Sequence, residues 1–335
     1  MIDAHFGDMA RHRAFQRHAS GLKQKISVRG TELAKGVVSD KTRHLGGDFS
    51  MLAGVTKALE LASARQRITR DAQLFLEVQQ LAVGDIQTIV QKAVLDLRIL
   101  ETNDYSTSSA IASNAMRSGL DQIVGRLNTT LAGRAVMAGV ASDAPAVAHP
   151  DALLDALIAD LPAGASAHSV HDHVVQWFAP GGGFDSTGYS GDAARSARLD
   201  LGQGNSASLD VTAQDPALRG TLAAFATGAL VSRGVLALDP SAQRALLTHA
   251  TDDLARSDTA LIGLAARIGT EEAHLAAAGS RAAAEYSAMR IAQTDLIEAD
   301  PYEAATLLEQ AISQLDILYS LTARLSRLSL AEYLR

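Results

Sequence analysis

The chain has 335 residues, a formal net charge of −7 at pH 7, one Trp, no Cys and only 4% aromatic residues. A net acidic balance argues against a dedicated nucleic-acid-binding protein, because neutralising phosphates requires a basic surface. The lack of Cys excludes a disulfide framework, a thiolate metal site and a catalytic thiol, and the few aromatic residues favour thin seams between helices over a thick globular core.

The N-terminal segment is predicted to form a helix with a narrow apolar stripe that includes Leu22, Ile26 and Leu33, ending at Lys35-Gly36. Six Lys or Arg and no acidic residue lie between residues 11 and 29, which we interpret as a solvated helix face. The first twenty residues lack an apolar h-region and a cleavage site, so we expect that any export proceeds without a standard cleaved signal. No run approaches the length of a membrane span, and we expect no membrane insertion.

Two further helical segments are predicted before residue 142. Residues 48–102 contain no Pro and carry an apolar stripe that includes Val78, Ile86, Ile89 and Leu97. Residues 106–141 are predicted to continue as a third helix, up to breakers between Ser142 and Pro150.

The middle of the chain, residues 143–237, differs in texture and is predicted to form a small α+β surface domain. Its predicted elements are a helix over 168–178, a Gly-rich loop, a hairpin formed by 196–201 and 206–211, and a helix from Pro216 to about residue 232.

Residues 243–297 carry the strongest pattern, a 3.5-residue apolar repeat that predicts a helix packed along its length against a partner. At about 1.5 Å per residue this helix would be ~80 Å long. Its predicted seam positions include Leu254, Leu261, Leu264, Ile268 and Leu275. The partner of similar length is 48–102, so we expect an antiparallel pair.

Asp300-Pro301 breaks this helix, and a second heptad follows at Leu308, Ile312, Leu315, Leu318 and Leu325, with Leu328 and Leu330 beyond it. Each terminal stripe is too short to be stable alone, so we expect the two ends to form assembly interfaces that order against copies of the same chain.

The sequence therefore predicts a mainly α fold, in which a long antiparallel coiled-coil rod formed by N- and C-terminal parts carries a small α+β inserted domain. The predicted domains are the terminal helices (1–40 and 300–335), the long-helix rod (41–142 and 238–299) and the surface domain (143–237).

Candidate chemical sites are weak. His168, His171 and His173 lie close together around Asp172, but two of the His share one helical face while His173 points elsewhere, so we interpret them as an exposed polar helix start and expect no metal. The Gly-rich segment 181–185 lacks the Gly-Lys-Ser/Thr of a phosphate-binding loop, and 188–192 lacks the last Gly of a nucleophile elbow. We expect no enzyme and no cofactor.

Both ends resemble the bacterial flagellin and hook-associated protein family. The segment 31–36 (Thr-Glu-Leu-Ala-Lys-Gly) resembles the stop after the family's first helix. The segment 300–305 (Asp-Pro-Tyr-Glu-Ala-Ala), together with the Leu-rich segment 309–330, is similar to the C-terminus of the family's hook–filament junction members of alphaproteobacterial type. The segments 38–40 and 45–48 stand where flagellins usually have Asp-Asp-Pro-Ala, and the tail lacks the flagellin Ala-Asn-Gln. These departures favour a junction protein.

The resemblance implies an extracellular structural subunit of the flagellum, exported unfolded by a type III apparatus. It also implies partners: copies of itself, a neighbouring hook-associated protein, flagellin, and a cytoplasmic export chaperone at the C-terminal helix. Two alternatives remain open, a flagellin filament subunit and a cytoplasmic coiled-coil binding module.

Overall fold

A computed structural model describes residues 3–101, 105–141, 143–162, 164–192, 197–202 and 205–333, with side chains described for 13–98, 109–141, 143–162, 164–192, 200 and 206–325. The described chain is mainly helical, which confirms the predicted mainly α fold class. The α-helices are α1 (Asp3–Lys35), α2 (Lys41–His44), α3 (Ser50–Glu101), α4 (Tyr105–Leu127), α5 (Pro150–Ala159), α6 (Ala167–Phe178), α7 (Pro216–Ser232), α8 (Pro240–Ile297) and α9 (Pro301–Tyr333).

Two small antiparallel hairpins and one π-helical turn complete the described elements. The strands are β1 (Thr130–Leu131) paired with β2 (Arg134–Ala135), and β3 (Ala197–Gly202) paired with β4 (Asn205–Leu209). The second hairpin aligns Ala197 with Leu209 and has an irregularity between Asp200 and Gly202. The π-helical turn is Phe184–Gly188.

The chain divides into two compact units. The first unit contains Met1–Ser63 and Ala283–Arg335, and the second contains Ala64–Ala282. Both boundaries fall inside long helices, α3 and α8, so each unit includes part of both. The segment 143–237, expected as a separate domain, lies in the second unit together with 64–142 and 238–282.

Helix α7 is the centre of the second unit. Every residue of α7 from Ala217 to Val231 except Gly220 is buried, as expected for a helix covered on all sides. It packs closely against α4, because Gly119 and Gly228 have no side chain at the points of contact. A methyl group on Gly119 would lie 2.7 Å from Cδ1 of Phe225, and one on Gly228 would lie 2.6 Å from Cγ of Met116.

Helices α3 and α8 run antiparallel within the second unit. The side-chain amides of Gln87 and Gln91 on α3 donate to Oδ1 of Asp258 on α8 at 3.4 and 3.1 Å. Closer to the C-terminus of α8, a methyl group on Gly279 would lie 3.4 Å from Cγ2 of Thr69. Residue numbers thus rise along α3 as they fall along α8.

Helices α3 and α8 are also in contact within the first unit. Nε2 of Gln293 on α8 donates to the hydroxyl of Thr56 on α3 at 3.3 Å. This unit also contains α1 and α9, which pack against each other.

The prediction that the third helix extends to residue 141 is wrong, because α4 ends at Leu127. Directly after this helix, the Asn128 side chain forms two hydrogen bonds with the backbone of Val147, at 2.9 and 2.8 Å. The chain then leaves the helical conformation and enters the first hairpin. Ala132 and Gly133 then both have positive φ, 50° and 81°, the conformation of a tight hairpin turn.

Candidate functional site

The segment that follows α1 and the segment that precedes α9 meet through a short backbone pairing, here called the terminal bridge (residues 36–39 and 297–299). The Val38 N–H donates to the Ile297 carbonyl at 2.9 Å, and the Ala299 N–H donates to the Gly36 carbonyl at 3.0 Å. Gly36 has φ +67°, which suits glycine and ends α1 where the sequence predicted a stop. The pairing places the C-terminus of α1 beside the N-terminus of α9, so these helices run antiparallel.

A buried carboxylate holds the terminal bridge together. Glu32 is only 4% exposed, and its carboxylate accepts from the Ser39 N–H at 2.8 Å and from Nη1 of Arg29 at 2.7 Å. Burial raises the pKa of Glu32, but the hydrogen bonds from Ser39 and Arg29 lower it by a larger amount. The pKa of Glu32 therefore lies below its ordinary value. The folded state therefore favours the ionised carboxylate.

Helix α9 begins at a strong cap. Oδ1 of Asp300 accepts from the N–H groups of Tyr302 and Glu303, at 2.8 and 3.2 Å, and Pro301 occupies the first helical position, where no N–H is needed. The predicted break at Asp300-Pro301 is therefore where one helix ends and the next begins.

The apolar residues of α9 form two stripes on different sides of the helix. The first stripe consists of buried or half-buried residues at heptad spacing: Ala304, Leu308, Ala311, Leu315, Leu318 and Thr322. Because α9 packs against α1, this is the face that the pairing covers. The second stripe, here called the exposed stripe, consists of Ile317, Leu321 and Leu325 at four-residue spacing. Ile312 and Tyr319 are also exposed but lie on the opposite flank of the covered face, and all five side chains are between 43% and 55% exposed.

The predicted assembly residues fall on both sides. Leu22 and Leu318 are buried at 8% and 9% exposure, Leu33 is 41% exposed, and Ile26, Leu308 and Leu315 are half-buried. Leu325 belongs to the exposed stripe, and Ile312 is exposed on the opposite flank of the covered face. Leu328 and Leu330 lie in the last turns of α9, outside the residues whose side chains are described. The 3.5-residue pattern did not separate the covered face from the open one, and it missed Ile317, Tyr319 and Leu321.

The predicted seam residues lie in or beside the core of the second unit. The five seam positions named on α8 are each at most 1% exposed. On α3, Ile86 and Leu97 are buried, whereas Val78 and Ile89 are half-buried and pack against the core. The most buried stripe of α3 is rotated from the predicted one and consists of Leu76, Gln79, Val83, Ile86, Val90 and Leu97.

Gln79 is the polar member of the buried α3 stripe. Its amide is buried and donates to the carbonyls of Val136 and Val211, at 2.8 and 2.9 Å. These two partners lie 57 and 132 residues away in the sequence. Gln79 therefore satisfies backbone carbonyls whose presence beside α3 could not be read from the periodicity of that helix.

The predicted histidine group lies at the start of α6 and meets α8. Nε2 of His168 lies 3.3 Å from Oδ2 of Asp172, and Nδ1 of His171 lies 3.7 Å from Oδ1 of the same carboxylate. On the other side of its ring, Nε2 of His171 forms a 2.8 Å hydrogen bond with Oδ2 of Asp253 on α8. The ring of His249, also on α8, stacks on His171 with centroids 4.7 Å apart. His173 does not belong to this group.

The Gly-rich segment is packed rather than open. A methyl group on Gly183 would lie 2.5 Å from Cδ1 of Trp177, Phe184 is fully buried, and Asp185 forms an ion pair with Arg219. The predicted Gly-rich loop is therefore partly a core element, and Gly182 and Gly183 allow close approach to Trp177. A neighbouring groove of about 470 Å³, lined largely by apolar groups, lies among α6, α7 and α8.

Within the part of the chain that the structure describes, no helix combines the length and hydropathy needed to cross a membrane. Comparison with protein-family models and with curated proteins gave no match.

Proposed function

We propose that this protein is a structural subunit of the bacterial flagellum, located at the junction between hook and filament, and that it assembles through its terminal helices. The observation that carries the proposal is the exposed apolar stripe of α9, which remains open although α9 already packs against α1. The resemblance of both chain ends to the flagellin and hook-associated protein family gives the proposal its specific form.

An exposed stripe of this kind favours association. Removing apolar surface from water contributes about 25 cal/mol per Å², and contiguous exposed apolar surface in soluble proteins commonly marks an interaction site. Ile317, Leu321 and Leu325 lie on one side of α9, so many copies can present the same stripe to one another around a ring.

The same proposal covers export and the remaining partners. The chain would travel unfolded through a type III apparatus, with a cytoplasmic chaperone covering the C-terminal helix until export. Outside the cell it would contact a neighbouring hook-associated protein on one side and flagellin on the other. The paired helices α3 and α8 would serve as the rod of the subunit.

The test introduces charge on the exposed stripe without touching the covered face. Ile317→Asp and Leu321→Asp should leave helix content and monomer stability close to wild type, because both side chains are already solvent-accessible, but should prevent incorporation into appendages sheared from cells. Ser320→Asp is the matched control, since it adds the same charge at an exposed position beside Leu321 but outside the stripe. Normal incorporation of both stripe variants would contradict the proposal.

Location and copy number separate the alternatives. A junction subunit should be present in sheared extracellular appendages as a minor component, whereas a filament subunit would be the dominant protein there. A cytoplasmic coiled-coil binding module would be absent from that material.

A further inference from the structure

We propose that the start of α6 binds a zinc ion through His168, His171 and Asp172, with Asp253 of α8 orienting His171 from behind. This inference does not depend on a role in assembly. It rests on the geometry of five side chains within the second unit.

The three ligand atoms are already gathered. Among the described residues, His168, His171 and Asp172 each offer one donor atom, and the three atoms lie within 4.8 Å of one another. In tetrahedral coordination with bonds of about 2.0–2.2 Å, ligand atoms are separated by ~3.3–3.6 Å. Nε2 of His168 lies 3.3 Å from Oδ2 of Asp172, and Nδ1 of His171 lies 3.7 Å from the other oxygen, Oδ1. Each imidazole nitrogen is therefore close to that separation from one oxygen of the carboxylate before any ion is added.

The tautomer of His171 suits a ligand. Its Nε2 is paired with the carboxylate of Asp253 at 2.8 Å, and a carboxylate can only accept, so Nε2 carries the proton. Nδ1 of the neutral ring then presents a lone pair. That atom is buried and has no hydrogen-bond partner, which is costly for a polar atom unless a ligand uses it.

Asp253 supplies the support that metal-binding histidines generally have. A carboxylate on the far nitrogen fixes the ring orientation and makes the ligating nitrogen more basic. Asp253 has a side chain only 13% exposed and is itself paired with Arg256, so its position is held from α8. The stacked ring of His249 covers one face of His171 and limits its rotation.

The donor set points to zinc. Two imidazole nitrogens and one carboxylate oxygen suit Zn²⁺ better than Mg²⁺ or Ca²⁺, which prefer oxygen ligands alone. Three protein ligands leave at least one position for water. His168 and Asp172 have side chains 74% and 49% exposed, so an ion can enter from solvent.

The competing explanation is a purely structural arrangement, in which a protonated His171 lies between two carboxylates and binds no metal. The sequence alone could not decide between them, because Asp253 is 82 residues from His171 and only the fold brings it to the ring.

The experiment uses the full chain without a histidine tag. Isothermal titration with Zn²⁺ should show saturable one-to-one binding, and Co²⁺ should give the visible absorption of a low-coordinate site that Zn²⁺ then displaces. His168→Gln and Asp172→Asn should each weaken Zn²⁺ binding at least about tenfold, and Asp253→Asn should weaken it about 10–100-fold although it does not touch the ion.

His274→Gln is the matched control, since His274 is an exposed histidine on α8 in the same unit, and it should leave the affinity unchanged. Circular dichroism verifies that each variant is folded, and the exposure of His168 makes its variant the safest in this respect. Absence of saturable Zn²⁺ binding to the wild type, or wild-type affinity in both His168→Gln and Asp172→Asn, would overturn the proposal.

Discussion

Glu32 illustrates how a single buried charge organises the terminal bridge. Its carboxylate bonds to a backbone N–H that follows the end of α1 and to a guanidinium one turn earlier on the same helix. A Gln at this position would retain an acceptor but lose the charge, and charge-assisted bonds are the stronger kind. The carboxylate therefore ties the end of α1 to the strand-like segment that meets residues 297–299.

We predict that Glu32→Gln lowers the stability of the first unit at neutral pH by about 1.5–3 kcal/mol. The pKa of Glu32 is lowered from its ordinary value of 4.5 in the folded protein, so the unfolded state binds the proton more readily. The stabilisation is then complete above about pH 4.5 and is lost as the pH falls through the lowered pKa. The difference between wild type and variant should accordingly shrink below pH 4.5.

Thermal unfolding followed by circular dichroism at several pH values measures this difference. Glu309→Gln is a suitable control because Glu309 is exposed on α9, and its effect should be small at every pH. An equal penalty for Glu32→Gln at pH 7 and at strongly acidic pH would show that the charge is not responsible.

Individual residues differ in how far the sequence could foretell their roles. The stop at Gly36 and the cap at Asp300 follow from local chemistry, since glycine readily adopts the left-handed conformation that ends a helix and proline fixes φ at the first helical position. Gln79 and His171 gain their roles from partners far along the chain. No local pattern contains that information.

Among the helices, the contact between α4 and α7 depends most directly on residue size. The two helices approach closely because Gly119 faces the ring of Phe225 and Gly228 faces Met116. Phe225 and Met116 are both fully buried, so neither can easily move to make room.

We predict that Gly119→Ala destabilises the second unit by about 1–3 kcal/mol, because the added methyl group would overlap the Phe225 ring. Gly125→Ala, on the same helix with open space around it, should instead be neutral or stabilise by up to about 1 kcal/mol through lower backbone entropy in the unfolded chain. Urea unfolding followed by fluorescence measures both, because the single tryptophan, Trp177, is buried in this unit. Equal stability of the two variants would refute the close-packing argument.

The helices were predicted best where the pattern and the breakers agreed. The α7 and α9 starts coincide with Asp-Pro pairs, and the buried residues of α8 follow its heptad. The end of α4 was missed because it depends on Asn128 reaching the backbone of Val147, a contact between distant segments. Helix α5 was missed as well, although Pro150 at its first turn was itself a usable signal.

For the molecule as a whole, the division into two units separates the proposed assembly surface from the proposed zinc site. The exposed stripe of α9 belongs to the first unit, and the histidine group belongs to the second. The buried core cluster of the second unit is formed by described residues between Ala72 and Leu275, so neither α1 nor α9 contributes to it. Changes at the chain ends can therefore be tested without disturbing that core.

Deletion of residues 301–335 tests the proposed role of the terminal helices most directly. The truncated chain should retain the unfolding midpoint reported by Trp177 within error, because its surroundings contain no residue of α9. It should fail to enter appendages, since both the partner of α1 and the exposed stripe are lost. Limited proteolysis should then degrade α1 faster in the truncated chain, because a narrow apolar helix without its partner is marginally stable. Incorporation of the truncated chain into appendages at wild-type levels would show that assembly depends on some other surface.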